Sequence, residues 1–136
     1  PRAQALRRAG QSLMDSTDES IDVDALKAKA EGGDIEAQYE MGWRHALGMG
    51  TPLDDDLAVE WLQRAAEAGH MLAQNNLGAR FFTGDGVEEN LQQAYRLFYL
   101  AANQGDRKAG KNLDAIAKKL SEPELEVCRQ MVNEAV

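Results

Sequence analysis

At 136 residues the chain carries one domain's worth of sequence and enough apolar side chains to bury a core. Its formal net charge of −8 argues against nucleic acid, which needs a basic face, and no apolar run approaches the roughly 20 residues of a membrane-spanning helix. A single cysteine, Cys128, excludes an internal disulfide, and the start at Pro1, with no Met or leader pattern, reads as a trimmed or processed product.

In chain order, residues 1–22 read as an N-terminal helix and an acidic loop. Residues 3–14 can form a helix with Leu6, Gly10 and Leu13 on one side and Arg2, Arg7 and Arg8 on others. Residues 16–20 are acidic and serine-containing, which predicts a loop. Residues 23–33 then form half of a repeating unit, a helix over 23–31 followed by Gly33.

The repeat itself is legible from Ala37-Gln38, which recurs as Ala73-Gln74, a period of 36 residues. The same offset carries Gly42 onto Gly78, Arg44 onto Arg80, and Gly48 and Gly50 onto Gly84 and Gly86. It also carries Ala65-Ala66 onto Ala101-Ala102, and Gly69 onto Gly105. Periods in this range belong to solenoids, whose units bury their apolar faces only by stacking. In the unit 34–69, Asp34 caps a helix running to about Leu47, with Ala37, Met41 and His45 at helical spacing. Gly48-Met49-Gly50 breaks it, and Asp54-Asp55-Asp56 opens a second helix with Ala58, Trp61, Leu62, Ala65 and Ala66 on its apolar face.

The unit 70–105 repeats the plan. His70 stands at the cap, Leu77 and Phe81 line the first helix, Gly84-Asp85-Gly86 breaks it, and Asn90 caps the second. A third unit begins on schedule at Asp106 and then departs: Asp114 stands where a glycine is due, and the Gly-x-Gly turn is missing. Instead Ser121-Glu122-Pro123-Glu124 forms a capping box, opening a final helix with Leu125, Cys128, Val132 and Ala135 on one face. Residues 106–136 therefore read as a partial repeat and a C-terminal capping helix, and Cys128 as a buried, inert thiol.

The string Ala73-Gln74, Leu77-Gly78, Phe81, Gly84-Asp85-Gly86-Val87, Ala94, Ala101-Ala102 and Gly105 resembles the Sel-1-like repeat, a relative of the tetratricopeptide repeat. The resemblance covers roughly residues 23–120 and departs at His45, where an aromatic is usual, and at Thr51, where valine is usual. The tetratricopeptide repeat proper has a shorter period and lacks the Gly-x-Gly turn. The family's cysteine-rich branch staples its repeats with disulfides; those cysteines are absent here, so that branch's antibiotic binding does not transfer. The resemblance implies an all-α fold, a right-handed α-α superhelical solenoid of antiparallel helix pairs, with seven or eight helices and no sheet. It also implies an adaptor of a bacterial complex, with periplasm or envelope preferred to cytoplasm.

The chemistry-bearing residues point the same way. His45 and His70 lack metal-ligand spacing, no serine stands in a nucleophile-elbow context, and the Gly-x-Gly elements follow helices rather than strands. The chain is therefore read as non-catalytic, with no cofactor and no metal. In the family the first helix of each pair lines the concave face. With Met41 and Leu77 as buried markers, that frame assigns partner binding to Tyr39, Trp43, Leu47, Asn75 and Phe82, with Lys111 and Lys118 attracting an acidic segment of a partner protein or peptide. Two alternatives stay open: an inhibitor or immunity-type protein that neutralises a toxin or enzyme, and a hydrolase or small-ligand binder acting on cell-wall fragments.

Overall fold

The computed structural model describes residues 21–134. The expected helix over 3–14, the loop over 16–20 and Ala135 lie outside the described residues. Among those described there are seven helices and no strand: α1 (Val23–Glu31), α2 (Ile35–Leu47), α3 (Asp55–Glu67), α4 (Met71–Thr83), α5 (Leu91–Asn103), α6 (Arg107–Lys119) and α7 (Glu122–Glu134). The fold is all-α, as the residue pattern predicts.

The helices start where a side chain can accept from an otherwise unpaired N–H. Asp22, Asp34 and Asn90 each cap with a carboxylate or amide oxygen, and Asp106 accepts from both Lys108 and Ala109. At His70 the acceptor is the imidazole: Nδ1 receives the Ala73 N–H at 3.2 Å, so the proton of the neutral ring sits on Nε2. α7 opens on the capping box, with Ser121 Oγ accepting from the Glu124 N–H and Glu124 Oε1 accepting from the Ser121 N–H. α2 and α4 end alike, at Gly48 and Gly84, both left-handed at φ 67° and 73°, each donating its N–H to an arginine carbonyl one turn back. A side chain with a Cβ is strained there, which is why the glycines recur.

The chain divides into two compact units, Pro1–Trp61 and Leu62–Val136, with the boundary inside α3. In the first, α1 packs on α2, and the core comprises Ala30, Ala37, Met41 and Trp61 with Val23 and Leu26 against it. In the second, α5 is central: α4, α6 and α7 all pack on it. Its core is built from Ala94, Phe98, Ala101, Ala109 and Ile116. Gly78 lets α4 approach α5 closely, since a Cβ there would lie 3.0 Å from the Phe98 ring. On α7, Leu125, Cys128 and Val132 are buried, as their shared face predicts. Leu113, one repeat on from buried Leu77, is half-buried and packs against the same core.

The glutamine of the repeated Ala-Gln pair has a structural role. Gln38 Nε2 donates to the Ala30 carbonyl and Gln74 Nε2 to the Ala66 carbonyl, both at 3.1 Å, tying each helix to the last turn of the helix before it. Gln74 Oε1 in turn accepts from Gln104 at 2.8 Å. Gln38 Oε1 is buried with no partner among the described residues.

Candidate functional site

In the first unit the assigned residues Tyr39, Trp43 and Leu47 recur every four positions along α2, which puts them on one stripe. Met41 and Ala37 face the core instead. Tyr39 and Trp43 are half-buried and Leu47 is 51% exposed. Burial, aided by the negative charge of Glu36, raises the Tyr39 hydroxyl above its ordinary pKa, so it is a neutral donor and acceptor at physiological pH.

Behind that stripe lies a side chain whose role sequence reasoning missed. Arg44 is 1% exposed, among the largest fully buried side chains of the described residues. Its Nε donates to Glu40 at 2.8 Å, its Nη1 donates to the Met49 carbonyl at 3.1 Å, and its guanidinium carbon lies 4.8 Å from the Trp43 ring centroid. A buried guanidinium is tolerated only when its charge and its N–H groups are met, and here carboxylate, carbonyl and ring meet them. The arrangement recurs one repeat later with a neutral partner: Arg80 donates to Asn76 at 3.2 Å and lies 3.5 Å from the Asp85 carbonyl. The signal was present in the coincidence of Arg44 with Arg80 at the repeat offset. His45, also buried, places Nδ1 3.1 Å from the Pro52 carbonyl; a carbonyl can only accept, so Nδ1 carries the proton. It anchors the turn.

In the second unit Asn75 and Phe82 lie two turns apart on α4, and Lys111 and Lys118 two turns apart on α6. Asn75 and Phe82 are half-buried, with Phe82 packed against the core, and Lys111 and Lys118 are exposed. The structure brings Phe82 to Lys119, a lysine the sequence reading did not assign, whose Nζ stands 4.7 Å from the ring centroid. The result is an aromatic face with a cation fixed over it and further lysines along the same helix. Among the described residues no group of three or more His, Cys, Asp and Glu is placed to hold a metal ion, and no helix is long and apolar enough to cross a membrane.

Comparison with known proteins identifies the repeat. The Sel1 repeat family model matches residues 35–70 and 72–106. Among solved structures, the chain is similar to a Sel1 repeat protein from Oxalobacter formigenes, at 33% identity and a TM-score of 0.68, covering 83% of this chain and 88% of that one. It is also similar to a protective antigen of uropathogenic Escherichia coli strains that displays an SLR fold, at 32% identity and a TM-score of 0.68. That match covers 85% of this chain but 26% of the antigen, so the chain spans about a quarter of the antigen's length. Comparison with curated proteins gives no match.

Proposed function

The chain belongs to the Sel1 repeat family, whose members are generally protein–protein interaction modules, and on that premise we propose that it is a non-catalytic adaptor that holds an acidic segment of a partner protein. The observation that carries the reading is the Lys119–Phe82 stack on a helix that also exposes Lys111 and Lys118. A carboxylate-bearing segment gains charge pairing from the lysines and an apolar seat beside Phe82 and Asn75. In the first unit, Tyr39, Trp43 and Leu47 form an apolar stripe with two aromatic rings, the side-chain types that supply binding hot spots. Sel1 repeat proteins are typically non-catalytic, which favours binding over the hydrolase reading.

The test is a titration of the full chain with a glutamate-rich peptide carrying one leucine, followed by fluorescence anisotropy. Phe82→Leu keeps an apolar side chain and removes the π face, and is expected to weaken binding by about 1 kcal/mol. Because Phe82 also packs against the core, the titration is made where the melting curve shows the variant fully folded. Wild-type affinity in that variant overturns the assignment of Phe82. Trp43→Ala examines the first unit by itself: retained helicity leaves Trp43 available as an anchor, whereas loss of helicity assigns it to the core.

A further inference from the structure

The two repeats share one turn geometry but not one surface chemistry. The glycines that shape the turns match, Gly48 and Gly50 at φ 67° and 79° against Gly84 and Gly86 at 73° and 75°. The closing hydrogen bonds match as well, Asp54 N–H to the His45 carbonyl and Asn90 N–H to the Phe81 carbonyl. Yet Leu47, Met49, Leu53 and Leu57 in the first repeat correspond, 36 positions on, to Thr83, Asp85, Glu89 and Gln93. The fold accepts polar side chains at all four positions, so burial requirements do not explain the apolar set.

Nor is the apolar set hidden. Leu53 is 52% exposed, Leu47 51% and Leu57 38%. Leu53 sits against the turn glycine, its Cβ 3.2 Å from where a Cβ on Gly48 would lie, and Leu57 is one helical turn on, its N–H held by Asp54 at 3.0 Å. The segment that presents them is fixed. Arg44 holds the Met49 carbonyl, His45 holds the Pro52 carbonyl, and the backbone pairs Met49 with Arg44 and Asp54 with His45. A surface held this way loses little entropy when a partner arrives.

The rim says what partner fits. Asp55 and Asp56 stand exposed beside the leucines, and their counterparts in the second repeat are Leu91 and Gln92, so a helix can start there without them. We propose that the turn over 47–57 is a second docking surface, for a partner segment that is amphipathic and basic: an apolar stripe for the leucines, flanked by lysine or arginine for the two aspartates. This is the opposite charge preference to the α6 surface, and it lies wholly within the first unit. It stands whether or not the acidic-segment reading holds.

The experiment uses the full chain and a fluorescein-labelled peptide of about 14 residues, made only of leucine and lysine, with the leucines on one helical face. Leu53→Glu with Leu57→Gln installs the residues that the second repeat carries and leaves Leu47 and α6 untouched. It is expected to weaken peptide binding about tenfold or more, while Asp55→Asn with Asp56→Asn weakens it several-fold and flattens its salt dependence. The aspartate pair also serves as the readout if the leucine variant loses helicity, since its side chains are exposed. The proposal is overturned if the leucine variant binds as wild type, if a leucine–glutamate peptide competes equally, or if the wild type shows no binding. It is also overturned if sedimentation shows that the leucines join two copies of this chain.

Discussion

His70 shows how one atom can be read from sequence and then sharpened by structure. Asp34 and Asp106 open their helices with carboxylates, and an imidazole nitrogen does the same work for α4. A carboxylate has two acceptor oxygens and a negative charge suited to a helix N-terminus. His70→Asp is therefore expected to stabilise the chain by about 0.5–1 kcal/mol, read as a shift in the urea midpoint without a change in slope. The cap was legible because capping is local chemistry, fixed by residues within one turn. Arg44 was not, because its burial depends on the Met49 carbonyl returning to meet it across a turn. The Lys119–Phe82 contact was not legible either: which lysine meets Phe82 is set by how α6 lies against α4, and helical spacing does not contain that.

At the level of elements, two helix-borne glycines separate packing from propensity. A Cβ on Gly78 would press on the buried Phe98 ring, whereas a Cβ on Gly110 meets nothing within 4 Å. Gly78→Leu is expected to cost about 1–3 kcal/mol or more through overpacking, and Gly110→Ala to gain about 1 kcal/mol through helix propensity. Thermal melts of both variants check the pair, and equal behaviour would show that α4 does not approach α5 as described. The start of α7 supplies a pH signature. The Ser121 N–H, then its hydroxyl, hold the Glu124 carboxyl below the usual range against a small opposing effect of burial. The unfolded chain therefore takes up that proton first, so the stabilisation is complete above the ordinary carboxylate range and is lost as pH falls through the folded value. Glu124→Gln should be less stable than wild type near neutral pH, and the gap should narrow as pH falls below the ordinary carboxylate range. Urea titrations at the two pH values measure it. Helix positions were the most legible feature of this chain, since caps mark the helix starts and Gly-x-Gly turns break the two complete units. The repeat offset carries Leu53 and Leu57 onto polar Glu89 and Gln93, a signal within the sequence that both positions are exposed.

Across the whole molecule the charge is uneven. The chain carries a net −8, yet α6 alone holds Arg107, Lys108, Lys111, Lys118 and Lys119, five of its fifteen cationic side chains. That local concentration of positive charge attracts an acidic partner against the chain's overall negative charge, an effect expected chiefly on the association rate. Lys111→Glu with Lys118→Glu is expected to slow association with the glutamate-rich peptide and reduce its salt dependence, with a smaller effect on dissociation. Stopped-flow mixing at two salt concentrations reads both rates. The family assignment was legible because a 36-residue rhythm of glycine and alanine is a whole-chain property that survives substitution elsewhere. The identity of a partner is written in side chains the rhythm leaves free.

The lone thiol gives the chain a built-in clock. Cys128 is fully enclosed on α7, and burial, with Glu124 adding to it, keeps the thiol protonated above its ordinary range. Both conditions lapse together when that helix lifts away from its seat, so a thiol reagent reacts only during the intervals in which α7 is open. The labelling rate thus counts excursions of one element, with no introduced probe and no second cysteine to confuse the count.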